Sequence, residues 1–235
     1  GFNVIDNFNP KYESKKKIDV VFCAIERDLD ILRLSLKSVR NFLKHPINKI
    51  FIISPNSKKM RRFAAENNCI FVDEQSFPFR KSQINYVIEI NGESIDRSGW
   101  LFQQFLGLSA DLFCEQDSYL ILDSDTILTK PQTFEYDGKY ILNYGDRVHA
   151  PYFNIFEKIF RFKAKCPATL TCHMMLIDKA ILSEMKHFLQ NIHKKEWYEV
   201  VIDNIDPAQH SFHSDYESYG QFALSKYKEN VILSY

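Results

Sequence analysis

Two aspartates separated by a single residue, Asp123 and Asp125, come directly after the apolar run at residues 119–122. Carboxylates this close repel each other unless they share a proton or a cation. A divalent ion with oxygen ligands, Mg²⁺ or Mn²⁺, that also bridges to a diphosphate is the commonest way to relieve this repulsion. The spacing therefore predicts a metal site in an enzyme that handles a phosphorylated donor.

Other interpretations of this pair stay open. The carboxylates could cap the turn that follows, although a cap uses one side chain and seldom two. The haloacid-dehalogenase-like phosphatases also carry Asp-x-Asp after an apolar strand, and there Asp123 would be the nucleophile. Those enzymes usually have the motif on their first strand, whereas three strand-like runs precede it here, and only Asp203 and Asp206 could form the second acidic pair. A domain that binds nucleotide or glycan without catalysis is a further alternative.

The segments around the pair predict an α/β fold with a mostly parallel central sheet flanked by helices. Residues 119–122 and three earlier runs are apolar throughout, which is typical of strands buried on both faces of a parallel sheet. Strand and helix patterns alternate with short connections, as in right-handed crossovers. In open sheets of this kind, ligands bind at the carboxyl ends of the strands, where Asp123 and Asp125 lie. The earlier strands are predicted at residues 19–25, 49–53 and 69–73, and further strands at 140–142, 170–177 and 231–233. Later helices are predicted at 152–162, 178–193 and 215–226. Residues 74–96 are expected to be mostly loop, with one short helix or strand around residues 86–90 and an Asn-Gly turn.

Length and composition bound the class of protein. The chain of 235 residues fits one domain, predicted at residues 19–235 behind a polar surface arm at residues 1–18. It has 30 basic and 30 acidic side chains, so no net charge attracts nucleic acid. Five cysteines without a C-x-x-C pair predict free thiols in a reducing, cytoplasmic environment. No apolar run reaches the ~20 residues of a membrane span, and the initial Gly is compatible with a tag remnant or an excised domain.

Several motifs follow one another in a characteristic order along the chain. They are Arg97-x-Gly99-Trp100-x-x-Gln103-Gln104-x-Leu106, the diacid strand, Ala150-Pro151-Tyr152-Phe153, His173-Met174-Met175 and Ser214-Asp215-Tyr216-Glu217-x-Tyr219-Gly220. In this order they resemble a bacterial family of GT-A-fold glycosyltransferases associated with surface-polysaccharide synthesis. The resemblance covers nearly the whole chain from Asp19 onwards. It implies a GT-A-like nucleotide-binding fold and metal-dependent transfer of a sugar from a nucleotide-sugar donor to a saccharide or lipid-linked saccharide acceptor.

The resemblance also implies which residues form the site. Asp123 and Asp125 would hold Mn²⁺ or Mg²⁺, and His173 would contact the acceptor or the sugar. A carboxylate at a strand end accepts hydrogen bonds from a base or ribose, and arginine and glutamine can hold phosphate or sugar oxygens. The implied donor-binding residues are Ile25, Glu26, Arg27, Ser54, Asp73, Arg97, Gln103, Gln104 and Ser124. The pair Glu26 and Arg27 could equally begin a helix.

An acidic pair, Asp215 and Glu217, begins the last predicted helix. By the resemblance, one of the two is the base that deprotonates the acceptor hydroxyl in enzymes that invert the anomeric centre, with Asp215 preferred over Glu217. The helix dipole and the free backbone N–H groups predict that Asp215 is ionised at neutral pH. An ordinary helix cap with acids in the first turn is the alternative interpretation.

Two further groups are weaker candidates. His210 and His213 lie close to Asp215 in the sequence and could supply a third ligand to a transition metal. Residues 151–165 are aromatic on one side and basic on the other, as in membrane-surface helices, so peripheral membrane contact is one interpretation. The preferred interpretation is a helix that packs its aromatic face on the core and exposes its basic face.

Overall fold

A computed structural model describes residues 1–5 and 12–235 of the chain. The strands in this part of the chain are β1 (Asn3–Ile5), β2 (Ile18–Cys23), β3 (Ile47–Ser54), β4 (Ile70–Asp73), β5 (Val87–Ile90), β6 (Glu93–Asp96), β7 (Ser118–Asp123), β8 (Glu135–Tyr136), β9 (Lys139–Asn143), β10 (Met174–Asp178) and β11 (Val231–Ser234). The helices are α1 (Leu29–Phe42), α2 (Lys58–Glu66), α3 (Ser98–Gly107), α4 (Ala150–Phe160), α5 (Lys179–His193), α6 (Trp197–Ile202) and α7 (Asp215–Lys226). These elements form the α/β fold that the sequence predicts.

The central sheet has five strands in the order β10-β7-β2-β3-β4. Strands β7, β2, β3 and β4 are parallel, and β10 runs antiparallel to β7. All residues of β2 are buried, because successive side chains enter two different cores. Val21 and Cys23 pack into the core on one face, and Val20 and Phe22 pack into the core on the other. The prediction of a mostly parallel sheet covered on both faces is confirmed.

Helices cover the two faces of this sheet unequally. On the face of Val20, the apolar sides of α1 and α2 supply Leu32 and Met60. On the opposite face, α3, α4 and α7 supply Phe105, Phe156 and Phe222 to a larger core. Burial of such apolar surface stabilises the fold by roughly 25 cal/mol per Å² removed from water. Packing on both faces therefore holds the carboxyl ends of the parallel strands in fixed positions along one edge of the sheet.

The strand register brings the carboxyl ends of the parallel strands to the same level. Cys23, the last residue of β2, pairs with Asp123 of β7 on one side and with Ile53 of β3 on the other. Ser54 of β3 pairs in turn with Asp73, the last residue of β4. The parallel strands therefore end level with one another, and the loops that follow them lie side by side.

A second sheet contains both ends of the chain in the order β1-β11-β9-β8. Strand β1 pairs in parallel with β11, and β11 pairs in parallel with β9. The surface arm expected at residues 1–18 therefore includes a short edge strand, and Ile18 already belongs to β2. The polar composition gave no sign of this three-residue strand. The rest of that prediction falls partly on residues 6–11, which lie outside the described residues.

Three local differences from the sequence-based prediction have backbone causes. The strand predicted from residue 170 begins only at Met174, because His173 has a left-handed φ of 61°. The helix predicted to reach residue 162 ends at Phe160, because Arg161 has a φ of 60°. In the segment expected to be mostly loop, the short element expected around residues 86–90 is strand β5, which forms a hairpin with β6, a strand that was not predicted. The turn residues of this hairpin, Asn91 and Gly92, have φ angles of 51° and 80°, as favoured in tight hairpins.

The helix with the aromatic and basic sides, α4, faces the core. Its Phe156 and Phe160 are fully buried and stack with ring centroids 4.5 Å apart, whereas Lys158 is exposed. The preferred interpretation is thus confirmed, and Phe156 and Phe160 are occupied by core packing. Neither residues 1–5 nor residues 12–235 include a helix with the length and apolar character needed to cross a bilayer.

Candidate active site

Two adjoining cavities open at the carboxyl edge of the central sheet. The first, the diacid cavity, has a volume of about 430 Å³ and is lined by Asp123, Asp125 and Asp215, among others. The second, the side cavity, has a volume of about 450 Å³ and is lined by Glu74 and Arg97, among others. Residues that line both cavities form their shared wall: Cys23, Arg27, Asp28, Trp100 and Gln103.

Both carboxylate oxygens of Asp123 are held by neighbouring side chains. Oδ1 accepts a hydrogen bond of 2.7 Å from the hydroxyl of Tyr216, and Oδ2 lies 2.6 Å from Nδ1 of His173. The backbone carbonyl of His173 accepts from the amide N–H of Asp123, so the two residues are joined twice. The hydrogen bond to Asp123 raises the pKa of His173. His173 therefore lies in the diacid cavity, where its imidazole orients Asp123.

Asp123 and Asp125 match the ligand chemistry of Mg²⁺ or Mn²⁺. Both carboxylates line the diacid cavity, and Asp125 is exposed to solvent there. Mg²⁺ is usually held by one or two carboxylates, with water and substrate phosphates completing its coordination. Within the described residues no three or more His, Cys, Asp and Glu side chains are grouped to hold a metal ion. The two aspartates thus offer a partial shell, which suits an ion shared with a substrate.

Asp215 lies at the start of α7 and is almost fully buried against the diacid cavity. Burial and then the charge of Asp123 raise its pKa from 3.8 to about 7. Backbone N–H groups at the helix start lower the pKa, but by less. The expectation that the helix start keeps this carboxyl fully ionised at neutral pH is therefore wrong, because desolvation outweighs the dipole. Near pH 7, Asp215 is divided between its two protonation states.

Gln104 fixes the start of α7. Its Oε1 accepts hydrogen bonds from the amide N–H of Asp215 and from Nδ1 of His213, and its Nε2 donates to the carbonyl of His213. Nε2 of His213 accepts from Ser218. Burial lowers the pKa of His213 to about 3, so this imidazole is neutral. Gln104 also lines the diacid cavity, so its amide is engaged with the start of α7 at the cavity wall and its contact with the donor stays a prediction. His213 is a buried core residue.

Glu217, the second candidate for the base, is directed into the core. Its carboxylate accepts hydrogen bonds from the hydroxyl of Thr169, the amide N–H of Leu170 and the side chain of Gln221. It is 1 % exposed and does not line the diacid cavity. Successive helical residues are rotated by about 100°, so Glu217 lies roughly 200° around the helix from Asp215. The expectation that it could reach an acceptor is therefore wrong.

The expected donor-binding residues divide into two groups. Arg27 and Gln103 lie on the shared wall, Ser124 lines the diacid cavity, and Ile25 and Arg97 line the side cavity. Nε of Arg97 also donates to the carbonyl of His210, and its guanidinium lies 4.3 Å from the ring centroid of Trp100. His210 itself is exposed and does not line the diacid cavity.

Three expected donor contacts do not line either cavity. Glu26 is exposed and lies near Lys59, with 4.0 Å between their charged atoms. The hydroxyl of Ser54 is buried and donates to the neighbouring carbonyl of Pro55. Asp73 accepts from the amide N–H of Gln75 and from Asn56, which fixes the turn after β4. Their polar groups are used in local structure, and their role as donor contacts stays a prediction.

Sequence reasoning missed some residues of the site. Trp100 entered only as part of a motif, but its ring forms part of the shared wall. Glu74, one residue beyond Asp73, lines the side cavity. Tyr216 was part of a motif, but its role in holding Asp123 is evident only from the contact of its hydroxyl with that carboxylate. A buried tyrosine hydroxyl normally has a hydrogen-bond partner, and this was the signal in the sequence that could have pointed to the contact.

Solved structures with a similar fold include glycosyltransferases. An active-site mutant of LgtC is 16% identical over 92% of this chain and 72% of that chain, with a TM-score of 0.50. The galactosyltransferase LgtC in complex with donor and acceptor sugar analogues is 14% identical over 92% and 73%, with a TM-score of 0.48. The glycosyltransferase GlyE of Streptococcus pneumoniae TIGR4 is 13% identical over 93% and 45%, with a TM-score of 0.43. The likeness to the LgtC mutant confirms the GT-A-like fold.

Two comparisons of the sequence complete this assignment. A search of curated proteins gave no significant match. A family model matches residues 15–235, which is nearly the whole chain. The protein therefore belongs to DUF6492, a family of unknown function.

Proposed function

We propose that the protein is a metal-dependent glycosyltransferase that moves a sugar from a nucleoside-diphosphate donor to a hydroxyl of a saccharide or lipid-linked saccharide. The observation that carries the proposal is the meeting of Asp123, Asp125 and Asp215 in one cavity that shares a wall with a second. A donor of this class has two parts, so the nucleoside can occupy the side cavity and the sugar the diacid cavity. The likeness in fold to the LgtC mutant supports the proposal.

Asp123 and Asp125 would hold Mn²⁺ or Mg²⁺ at the donor diphosphate, directly or through water. When bound, such an ion supplies Lewis-acid stabilisation of the charge on the departing nucleoside diphosphate. Tyr216 and His173 each hold one oxygen of Asp123, which fixes the direction in which the carboxylate points. Arg27 on the shared wall adds a guanidinium, whose planar set of donors suits phosphate oxygens.

Asp215 is the group that we assign to the acceptor. Its carboxylate would take the proton of the attacking hydroxyl while the hydroxyl oxygen bonds to the anomeric carbon. The bond from that carbon to the donor diphosphate breaks in the same step, and the nucleoside diphosphate leaves. A pKa of about 7 suits this role, because a general base works best when its pKa is near the operating pH.

The alternative of a phosphatase has less support. In a phosphatase of this kind, Asp123 would be the nucleophile, and a second acidic pair, Asp203 and Asp206, would complete the metal site. Neither Asp203 nor Asp206 lines the diacid cavity, and Asp203 forms a salt bridge with Lys195 at the surface.

Turnover assays separate the proposed reaction from its alternatives. The purified protein is incubated with Mn²⁺ and a panel of nucleotide sugars, and the release of nucleoside diphosphate is measured; a parallel assay uses p-nitrophenyl phosphate. We expect slow hydrolysis of at least one nucleotide sugar, loss of that activity with a chelator or with Asp123→Asn, and no hydrolysis of the phosphomonoester. The matched variant Asp203→Asn should retain full activity.

Hydrolysis of p-nitrophenyl phosphate that is lost in both Asp123→Asn and Asp203→Asn would identify a phosphatase instead. Binding of nucleotide without turnover of any donor, with or without saccharide acceptors, would identify a binding domain. Either result would overturn the proposed function.

A further inference from the structure

The side cavity contains three acidic side chains among the described residues, Asp28, Glu74 and Asp96. Two of them are used by the fold. Asp28 accepts a hydrogen bond from the amide N–H of Ile25, and Asp96 accepts one of 2.8 Å from the amide N–H of Ser98. These bonds fix local turns, so neither carboxylate is directed primarily at a ligand.

Glu74 differs from these two acids in its position and surroundings. It follows β4 directly, at the carboxyl edge where the parallel strands end level. It is half-buried, and burial followed by repulsion from Asp73 raises its pKa. Lys81 and Gln75 act in the opposite direction, by attraction and by a hydrogen bond. Glu74 and Lys81 thus present an acceptor and a cationic donor within electrostatic reach of each other.

The rest of the side cavity is suited to a flat, partly apolar group. Buried Cys23, Ile53 and Leu106 line it, and the partly exposed ring of Trp100 forms one wall. Lys81 extends along the first turn of α3, where a Cβ on Gly99 would lie 3.5 Å from its Nζ. The ammonium group therefore lies beside the cavity, although Lys81 as a whole is exposed.

The nucleobases differ in how well their hydrogen-bonding edges match the carboxylate of Glu74 and the ammonium group of Lys81. Guanine presents two adjacent donors, N1–H and the 2-amino group, beside the acceptor O6. A carboxylate accepts two hydrogen bonds at once, and an ammonium group donates to a carbonyl oxygen. Uracil has one ring N–H between two carbonyl oxygens, so it can use only one carboxylate oxygen. Adenine presents no N–H beside its amino group. The acceptor and donor pair therefore fits guanine best.

We propose that the side cavity selects a guanine nucleotide, with Glu74 accepting from N1–H and the 2-amino group and Lys81 donating to O6. This inference rests on the proposed function, because it names the donor class of the same site. Glu74 would then act as a specificity-determining residue without taking part in the transfer step.

Calorimetric titrations with Mn²⁺ and three diphosphates test the assignment. The probes are guanosine, inosine and uridine 5′-diphosphate, and inosine differs from guanosine only by lacking the 2-amino group. Hydrogen bonds to charged groups contribute enough to predict guanosine diphosphate binding about 10- to 100-fold more tightly than inosine or uridine diphosphate. In Glu74→Gln, the ratio between guanosine and inosine diphosphate should fall to within about threefold of unity.

The control variant is Glu66→Gln, which removes an exposed glutamate at the end of α2 outside the side cavity and should keep the wild-type ratio. Equal or tighter binding of uridine diphosphate by the wild type would overturn the guanine assignment while leaving sugar transfer intact. An unchanged ratio in Glu74→Gln would overturn it as well. Failure of all three diphosphates to bind, with Mn²⁺ present, would overturn this inference, and the assay with the full panel of nucleotide sugars would then decide the proposed function separately.

Discussion

The hydroxyl of Tyr216, in the first turn of α7, donates a hydrogen bond of 2.7 Å to Oδ1 of Asp123, the last residue of β7. This bond joins the helix that carries Asp215 to the strand that carries the diacid pair. The candidate base and the candidate metal ligand are consequently fixed relative to each other by neighbouring residues of one helix turn. A shift of α7 would move both groups together.

We expect Tyr216→Phe to weaken Mn²⁺-dependent nucleotide binding by about 10- to 100-fold, the usual effect of removing a partner that orients a metal ligand. The matched control is Tyr219→Phe in the same helix, whose buried hydroxyl accepts from the amide N–H of Asp178 instead. Each variant should lose about 1–3 kcal/mol of unfolding free energy. Calorimetric titration with nucleotide and Mn²⁺ then distinguishes the two variants. Wild-type nucleotide affinity in Tyr216→Phe would show that the bond to Asp123 is only structural.

The neighbours Gln103 and Gln104 should respond in opposite ways to substitution by alanine. Gln103 is exposed on the shared wall, so its loss should weaken nucleotide-sugar binding several-fold, as for a neutral hydrogen bond worth roughly 0.5–1.5 kcal/mol, and leave unfolding unchanged. Gln104→Ala leaves the amide N–H of Asp215 unpaired and should cost about 1–3 kcal/mol of unfolding free energy. Denaturant unfolding and binding titrations on both variants check this. Equal effects on binding and stability in the two variants would contradict the assignment.

The buried His213 makes an acid-sensitive contribution to stability. Its folded-state pKa is about 3 against 6.5 when unfolded, so between these values the unfolded chain binds more protons at this residue. The contribution of His213 therefore falls as pH falls through this window, by up to about 2 kcal/mol at pH 5, whereas Asp215, whose folded-state pKa is raised, acts in the opposite direction. Urea unfolding of the wild type and of His213→Asn, which keeps a donor for Gln104, should show that acidification from pH 7 to pH 5 changes the unfolding free energy about 2 kcal/mol less favourably in the wild type than in the variant. His187→Asn, at an exposed histidine, should respond as the wild type does; an equal response in His213→Asn would refute the prediction.

If Asp215 removes the acceptor proton, Asp215→Asn should keep the fold and the binding of metal and donor but lower transfer by about 10²–10⁴-fold. In the wild type, the rate should rise with pH through about 7, because the ionised carboxyl is the active form, and this rise should vanish in the variant. Rates of sugar transfer measured from pH 5.5 to 8.5 test both statements. A variant with more than a tenth of wild-type transfer would exclude Asp215 as the base. Glu217 cannot take its place, since its carboxylate is held inside the core.

The sequence was informative where a residue's place follows from its neighbours along the chain. The apolar runs that became β2, β3 and β7 are buried on both faces, so they predicted a covered parallel sheet. Asp123 and Asp125 come directly after one of these strands, and the strand end fixes them at the edge where ligands gather. The fold and the candidate metal ligands could therefore be inferred from local sequence patterns.

Other features depend on contacts between distant segments. Helix α7 is buried on every side from Asp215 to Leu224, so its sequence has no amphipathic period to show which residue faces the cavity. The contacts of Gln104 with the start of α7 join residues more than 100 positions apart. The pKa of Asp215 likewise depends on burial by surrounding elements. Local propensity carries no information about such contacts.

The most direct test of the account is a calorimetric titration of nucleoside diphosphate, guanosine and uridine forms in turn, into wild type and Asp125→Ala with Mn²⁺ or with a chelator. Asp125 is exposed, so its replacement should leave the melting temperature unchanged. The control is Asp203→Ala, which removes an exposed acid paired with Lys195. The account predicts that wild type and Asp203→Ala bind at least about tenfold more tightly with Mn²⁺ than with chelator, and that Asp125→Ala loses this difference. Equal affinity in the wild type with and without Mn²⁺, or an undiminished metal effect in Asp125→Ala, would contradict it.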